Sequence, residues 1–230
     1  MITHLKSAIT LLVVLASHAI NERAVAQGIP IEPLAESARF IDPDNDCQIR
    51  SKVSFTVPGT NHDLNPRGGM NAPRLLKAVN GDFTAQVKVT GDFTPGSVST
   101  GRGRPFNGAG LLVWQNEDNF LRLERNAYWV SNKLMCYPPL IEHWHDGKYA
   151  GFNSNPMAAD EFFTGRSTWL KIQRQGERIT ASFSHDGMEW TVAKEFSVQF
   201  EDAVSVGMVA INTSDAEFRV EFESFQIDSH

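Results

Sequence analysis

The sequence predicts an all-β fold in which two antiparallel sheets pack as a sandwich. Apolar and polar residues alternate through about a dozen short segments, which is the period of two that a half-buried strand requires. No stretch has the apolar spacing of an amphipathic helix. Turn-forming Gly, Pro, Asn and Asp residues separate the segments at regular intervals. This combination is typical of antiparallel sandwiches.

The chain begins with a pattern typical of a secretory signal peptide. Lys6 gives a positive start, residues 8–16 are a short apolar run, and Ala24-Val25-Ala26 is a small-x-small cleavage site. The run is well short of the roughly 18 apolar residues of a membrane span. The sequence therefore predicts a secreted or periplasmic protein with no membrane span. The predicted order is a signal peptide at residues 1–26, an irregular lead-in at 27–46 and a single sandwich domain at 47–230.

The clearest pair of strands lies between Trp169 and Trp190. Apolar and polar residues alternate on both sides of Gln175-Gly176-Glu177, where the glycine suits a tight turn. The positions that share the predicted inward faces are Leu170, Ile172, Arg174, Ile179, Ala181 and Phe183.

A second tight turn is predicted at His185-Asp186-Gly187. The segment from Ser184 to Trp190 is similar to the Asp-box of sialidases, although it lacks the residue between Asp and Gly. Asp-boxes stabilise turns and are not active sites. We therefore expect Asp186 to accept hydrogen bonds from turn amides and Trp190 to pack over them.

Further strands and three long loops complete the pattern. The other predicted strands are residues 48–50, 52–57, 75–79, 83–89, 109–114, 120–126, 140–145, 148–152, 191–196, 204–211 and 217–227. The long loops are residues 58–74, 90–108 and 153–167, and long loops in a compact domain often carry function. The second includes the basic segment Gly101-Arg102-Gly103-Arg104, which suits either contact with an anionic polysaccharide or a solvated loop.

Several of these segments carry a family resemblance over residues 80–228. They are Gly81–Thr84 with Gln86–Val89, Gly108–Trp114, Asn119–Arg125, the hairpin at 169–190, Val206–Thr213 and Val220–Ile227. Together they resemble the jelly roll of the concanavalin A-like lectin/glucanase superfamily. More narrowly they resemble bacterial domains of unknown function called regulation-of-enolase-like. The resemblance implies a two-sheet jelly roll of a kind often carried by secreted, polysaccharide-related proteins.

Charge and motifs limit the classes of function. The formal net charge is −6, which disfavours nucleic acid as a partner because phosphate contacts need a basic face. The Glu-x-Asp-x-x-Glu motif of jelly-roll glucanases is absent, and Glu221 and Glu223 share the outer face of the last strand. No catalytic residues are therefore predicted, and an enzyme is disfavoured. The sequence indicates no particular oligomeric state.

The preferred hypothesis is a non-catalytic carbohydrate-binding protein with a poly- or oligosaccharide as partner. Sugar binding needs aromatic side chains that stack on the pyranose ring and polar groups beside them. The candidate residues are Trp114, Tyr128, Trp129 and Trp144 for stacking, with Arg122, Glu124 and Arg125 as polar neighbours. The alternatives are a glycan-active hydrolase on the same fold and a structural or protein-interaction domain.

Asp42, Asp44 and Asp46 form the best metal candidate, because alternate carboxylates supply the hard oxygen ligands that Ca²⁺ prefers. The resemblance to sugar-binding jelly rolls implies a structural Ca²⁺ here, with Asp228 as a fourth ligand. A solvated acidic turn is the alternative interpretation. No other cofactor is predicted.

His143 and His145 lie at alternate positions of a predicted strand. Such a pair binds Zn²⁺ when a third ligand joins it, and is otherwise polar surface. The two cysteines, Cys47 and Cys136, suit a disulfide in an oxidising compartment. Two buried thiols are the other possibility, because the sequence does not give their separation.

Overall fold

Antiparallel strands dominate the computed structural model, which describes residues 38–50, 53–130, 133–154 and 166–230. The predicted signal peptide and residues 27–37 of the lead-in lie outside the described residues. In chain order the strands are β1 (Arg39–Ile41), β2 (Gln48–Arg50), β3 (Ser54–Val57), β4 (Leu64–Asn65), β5 (Gly69–Met70), β6 (Arg74–Asn80), β7 (Phe83–Gly91), β8 (Phe106–Asn116), β9 (Asn119–Val130), β10 (Lys133–His145), β11 (Lys148–Ser154), β12 (Ser167–Gln175), β13 (Arg178–Ser184), β14 (Thr191–Ser197), β15 (Ala203–Asn212) and β16 (Phe218–Ser229).

The strands form two seven-stranded sheets and one small hairpin. Sheet A has the order β1-β6-β15-β8-β9-β10-β11, and sheet B has the order β14-β13-β12-β7-β16-β3-β2. β4 and β5 pair only with each other. The prediction of an all-β, antiparallel, concanavalin A-like jelly roll is therefore confirmed. No helix among the described residues is long and apolar enough to cross a membrane.

The hairpin of β12 and β13 turns at the predicted Gln175-Gly176-Glu177 segment. Gln175 pairs with Arg178 across the turn, and Gly176 has a φ of 58°, which an L side chain adopts only with strain. Apolar residues of both strands enter the core. Arg174 is also buried, because its guanidinium donates to the backbone carbonyls of Gly176, Phe200 and Glu201.

The main core lies between the two sheets. Its largest fully buried side chains include Phe55, Phe83, Phe222, Leu111 and Leu123, and the ring of Phe222 meets that of Phe55 edge-on at 5.1 Å. Burial of one such side chain stabilises the fold by about 1.5–3 kcal/mol. This core holds the sheets together and leaves their outer faces for other roles.

A second apolar cluster covers part of the outer face of sheet A. Phe120 stacks between Trp114 and Trp144, with ring centroids 5.5 and 6.2 Å apart. Leu64 and Ala72, from the loop that contains β4 and β5, pack on this stack. The loop thus closes one end of the outer face.

Three segments differ from the sequence prediction. Arg39–Ile41 is a strand within the lead-in that was predicted to be irregular, because it pairs with β6. β9 extends through residues 127–130 and β10 begins with residues 133–139, and no strand was predicted in either range. β4 and β5 form a hairpin inside the first long loop. The pairing of β1 with β6 joins segments that are distant in sequence, whereas β4–β5 and the start of β10 are local hairpins in segments without a clear apolar–polar alternation.

The second turn forms around Asp186 as predicted, but a different tryptophan packs on it. Asp186 accepts hydrogen bonds from the amides of Met188 and Glu189, and these bonds lower its pKa. A Cβ on Gly187 would come within 2.8 Å of the indole of Trp169. Trp190 instead lies under the ammonium of Lys171, 3.9 Å from the ring centroid.

Cys47 and Cys136 are not joined in a disulfide. Cys136 lies on β10 within the main core, opposite Ala127 of β9. Cys47 precedes β2, and its thiol contacts Asp46 at 3.6 Å. Both cysteines are therefore free thiols, but only Cys136 is buried, whereas Cys47 is partly exposed.

Candidate functional site

Charged side chains occupy the middle of the outer face of sheet A. Leu121 and Leu123 of β9 enter the main core, so the period of two turns Arg122 and Glu124 outward. Glu142 of β10 lies directly opposite Arg122 in the register. Neighbouring strands thus bring one guanidinium and two carboxylates together.

Arg122 is the centre of a buried ionic cluster. Its side chain is 3% exposed and donates a hydrogen bond to Glu142. Its Nη1 atom lies 3.6 Å from Asp63 Oδ1 and 3.6 Å from Glu124 Oε1. Three carboxylates thus surround one cation, and the cluster carries an excess of negative charge when all are ionised.

Burial sets the protonation of this cluster. Burial would lower the pKa of Arg122, but the three carboxylates outweigh it and hold that pKa above its usual range. Burial raises the pKa of Glu124 to about 7, more than Arg122 lowers it. Burial also raises the pKa of Asp63. Glu124 therefore exchanges a proton near neutral pH.

Glu124 fits beneath the surface because its neighbour on β8 has no side chain. A Cβ on Gly108 would lie 2.8 Å from Glu124 Oε2. Neither carboxylate oxygen of Glu124 has a hydrogen-bond partner, and the residue is 0% exposed. A buried polar group left in this state costs stability, which is typical of sites kept for function.

A cleft of about 300 Å³ opens above this cluster. Its floor includes Arg122 and Glu142, and Tyr128 and Phe106 supply an aromatic wall. The remaining lining residues are Asp63, Asn65, Arg102, Arg104, Leu140 and Thr213. The volume is at the lower end of the range for small-molecule sites. Charged groups, amides and aromatic rings thus face one small space.

Two of the long loops predicted to be functional form the rim. Asp63 and Asn65 come from the loop at residues 58–74, and Arg102 and Arg104 come from the loop at 90–108. The guanidinium of Arg104 lies over the ring of Tyr128, 5.7 Å from its centroid. The third loop, at 153–167, lies mostly outside the described residues.

Asn212 fixes both loops to the end of β15. It is fully buried, and its Nδ2 donates to the carbonyls of Pro58 and Ala216 while its Oδ1 accepts from Asn107. Its backbone exchanges two hydrogen bonds with His62. The adjacent Thr213 bonds through its backbone to Thr100 and Phe106. One buried polar network therefore positions both walls of the cleft.

The structure brings only some of the predicted sugar-binding residues together. Tyr128 and Arg122 line the cleft, and Glu124 lies one layer below it. Trp144 is 3% exposed and Trp114 stacks in the same covered cluster, so neither ring presents a free face to the cleft. Trp129 donates from Nε1 to the carbonyl of Pro95 and is not among the lining residues.

Arg125, the other predicted polar neighbour, is buried and donates to the hydroxyl of Thr168. It therefore contacts β12 of sheet B rather than the cleft. Sequence reasoning missed Asp63 and Glu142. One feature of the sequence could have identified each of them. Asp63 lies in one of the long loops, which often carry function. Glu142 precedes His143 on a predicted strand, and the alternation of that strand turns it outward.

The acidic turn before β2 is crowded with donors. Asp42 Oδ2 accepts from the amide of Cys47, and Asp46 Oδ1 lies 2.9 Å from Nε2 of His62. Asp44 Oδ2 lies 3.8 Å from the same nitrogen and accepts from Asn71. Burial, followed by Asp42 and Asp46, raises the pKa of the Cys47 thiol.

Asp228 does not join this turn. It pairs with Thr84 near the end of β16, whereas the turn contacts the loop that follows Val57. Val57 pairs with Phe218, at the start of β16. The four aspartates predicted to hold Ca²⁺ therefore lie at opposite ends of sheet B.

His143 and His145 are neighbours without a third ligand. Their ring centroids are 6.3 Å apart, and His143 packs between sheets against Phe196 and Phe200. Burial lowers the pKa of His143 to about 4, with further contributions from His145 and Lys194. Within the described part of the chain, no third His, Cys, Asp or Glu lies close enough to complete a metal site with them.

Solved structures share this fold at low sequence identity. A functionally unknown protein from Saccharomyces cerevisiae has a TM-score of 0.62 and 15% identity, covering 85% of this chain and 98% of that one. The GH43 protein BlXynB from Bacillus licheniformis has a TM-score of 0.58 and 13% identity over 84% of this chain, which spans only 37% of that protein. The VIP36 exoplasmic/lumenal domain, Ca²⁺/Man-bound form, has a TM-score of 0.52 and 12% identity, covering 84% of this chain and 83% of that one.

Identities this low show a common fold and nothing about a common ligand. No curated protein matches the sequence. The family model described as "Protein of unknown function (DUF1349)" matches residues 60–230, which include every residue that lines the cleft.

Proposed function

The chain belongs to the DUF1349 family of proteins of unknown function, and we propose that it is a secreted or periplasmic, non-catalytic carbohydrate-binding protein. The sugar binds in the cleft on the outer face of sheet A. The observation that carries this proposal is the composition of the cleft, where fixed charged and amide groups face an aromatic wall. The narrower resemblance, to regulation-of-enolase-like domains, stays a prediction.

The cleft supplies both kinds of contact that a sugar needs. The planar carboxylates of Asp63 and Glu142 and the amide of Asn65 suit the vicinal hydroxyls of a pyranose, since each offers paired hydrogen-bonding atoms. Tyr128 and Phe106 offer apolar surface for the C–H face of the ring. A volume of about 300 Å³ suits one or two sugar units.

The fold supports the same class of ligand. The VIP36 domain with the related fold is described in a Man-bound form, and BlXynB is a GH43 protein. Both names associate this architecture with carbohydrates, although neither fixes the sugar bound here.

A glycan hydrolase is the second candidate function, and Glu124 is the observation that favours it. A carboxyl group whose pKa is raised to about 7 has the property of a general acid. Glu124 is, however, fully buried and does not line the cleft, so it does not meet a sugar bound there. A binding role therefore accounts for the geometry better than hydrolysis does.

The test is binding of the full chain to a broad glycan array, followed by titration of any sugar that binds. We expect Tyr128→Ala to raise Kd at least tenfold, which corresponds to about 1.4 kcal/mol. Tyr149→Ala is the matched control, because Tyr149 is exposed and lies outside the cleft. Kd of the control should stay within about twofold of the original value.

Two outcomes would count against the proposal. A blank array would favour a structural or protein-interaction domain. Release of reducing sugar that disappears in Glu124→Gln would favour the hydrolase instead.

A further inference from the structure

The acidic turn before β2 lies against the buried His62, and Cys47 directly follows it. This contact supports an inference that goes beyond sugar binding. Nε2 of His62 lies 2.9 Å from Asp46 Oδ1, and Sγ of Cys47 lies 3.6 Å from the same oxygen. All three ligand atoms lie within 4.8 Å of one another. We propose that Asp46, Cys47 and His62 bind a transition-metal ion of the zinc class.

The spacing of these atoms suits a tetrahedral ion. Zinc binds oxygen, nitrogen and sulfur at about 2.0–2.3 Å, so two of its ligand atoms stand about 3.3–3.7 Å apart. The Sγ–Oδ1 separation of 3.6 Å falls in this range, and the Nε2–Oδ1 separation of 2.9 Å lies about 0.4 Å below it, so His62 and Asp46 would move slightly apart around the ion. Asp44 Oδ2, 3.8 Å from Nε2 of His62, is placed to become a fourth ligand.

The histidine is oriented as a metal ligand would be. Nδ1 of His62 lies 3.3 Å from both the carbonyl oxygen and the hydroxyl of Thr60, and in the tautomer that donates to the carbonyl the ring hydrogen is on Nδ1. The lone pair of Nε2 then points at the carboxylate of Asp46. In this tautomer a cation bound by both atoms offsets the repulsion between the lone pair and the carboxylate, whereas a hydrogen on Nε2 makes the same 2.9 Å contact an ordinary hydrogen bond. Metal-binding histidines commonly donate their other N–H to a backbone carbonyl in this way.

Calcium fits these residues poorly. Ca²⁺ takes six to eight oxygen ligands, but here two of the candidate donors are an imidazole and a thiol. Asp42 Oδ2 is occupied by the Cys47 amide, and Asp228 lies at the other end of β16. A mixed nitrogen, sulfur and oxygen set favours zinc over calcium. The calcium site implied by the resemblance is replaced in this proposal.

The ion would join two separate parts of the chain. Asp46 and Cys47 precede β2 of sheet B, whereas His62 lies in the loop that covers sheet A. His62 is followed by Asp63, a wall residue of the cleft. Binding replaces the thiol hydrogen of Cys47 with the metal and releases one proton to solvent.

The experiment measures thermal unfolding of the chelator-treated full chain with and without one equivalent of Zn²⁺ or Ca²⁺. We expect Zn²⁺ to raise Tm on the order of 5 °C and Ca²⁺ to leave it unchanged. Co²⁺ in place of Zn²⁺ should give a thiolate charge-transfer band in the near ultraviolet.

Cys47→Ala should lose both the Zn²⁺-dependent shift and the Co²⁺ band, while Cys136→Ala, the matched control, should keep both. His62→Gln provides a second variant in case Cys47→Ala fails to fold. Absence of a Zn²⁺ shift in the original protein would overturn the proposal and leave His62 as an imidazolium paired with Asp46. An equal shift with Ca²⁺, or a Zn²⁺ shift that persists in Cys47→Ala, would also overturn it. None of these measurements depends on sugar binding.

Discussion

The outer face of sheet A, which carries the candidate site, is more deeply buried than the outer face of sheet B. In β9 of sheet A, every residue from Phe120 to Ala127 is buried, on both faces. In β12 of sheet B, buried and partly exposed residues alternate. The outer face of sheet A is therefore covered, and that of sheet B is a solvated surface.

What covers sheet A is not only apolar. The loop containing β4 and β5 packs on Trp114, Phe120 and Trp144 at one end of this face. In the middle of the face, the charged side chains of Arg122 and Glu124 are buried beside each other. Buried ions seldom add net stability. Among the described residues, no buried cluster of a guanidinium with carboxylates lies on the outer face of sheet B, where the buried Arg174 instead donates to backbone carbonyls. This difference marks the outer face of sheet A as the functional one, and three measurements test it.

The largest difference is expected from removal of one cation on each sheet. Arg122→Met leaves the buried Glu124 and the partly buried Asp63 and Glu142 without a counter-ion and should lower the free energy of unfolding by about 3–5 kcal/mol. Lys88→Met on sheet B removes an ion pair with the half-exposed Glu223, and should cost at most about 1 kcal/mol. Urea unfolding measures both. Equal losses would show that the two faces do not differ as described.

The next effect depends on pH. Between 4.5 and 7, folded Glu124 keeps a proton that the unfolded chain has lost, so its contribution to stability falls as pH rises through this window. Glu124→Gln removes that loss, and should gain on the order of 3 kcal/mol relative to the original protein from pH 4.5 to pH 8. Glu221→Gln on the exposed face of sheet B is the control and should show no such trend. A flat difference for Glu124→Gln would mean that the folded carboxyl titrates like an ordinary one.

The smallest effect tests how closely Glu124 is packed. Gly108→Ala places a methyl group 2.7 Å from the ring of Phe106 and 2.8 Å from the carboxylate of Glu124, and should cost about 1–2 kcal/mol. Gly151→Ala, on β11 at the edge of the same sheet, meets nothing within 4 Å and should be close to neutral. Thermal unfolding at pH 5 compares the two. A neutral Gly108→Ala would show that the glutamate has room to move.

The fold was predictable because its signals are local. Alternation and turn residues identify the β12–β13 hairpin without any other part of the chain. β1 was missed because it is a strand only through pairing with the distant β6. The first half of β10 was missed because residues 133–139 carry no clear alternation, although they pair with the adjacent β9. Trp190 was assigned to the Asp186 turn because it is close in sequence, whereas Trp169 reaches it across the hairpin.

The site was less predictable because it depends on which face is covered. Arg122, Glu124 and Tyr128 were identified from their mixture of charge and aromatic character, and the structure places them together. Trp144 was chosen by the same logic, but a loop distant in sequence buries it. Asp63 reaches Arg122 only through the path of that loop.

The attachment of both cleft walls to Asn212 has a kinetic consequence. Neither loop can leave its place without breaking hydrogen bonds to the buried Asn212 or the adjacent Thr213, so we expect the cleft to keep its shape when it is filled. A sugar should therefore associate in one step, at a rate proportional to its concentration with no plateau, and little of the contact energy is spent on ordering the protein.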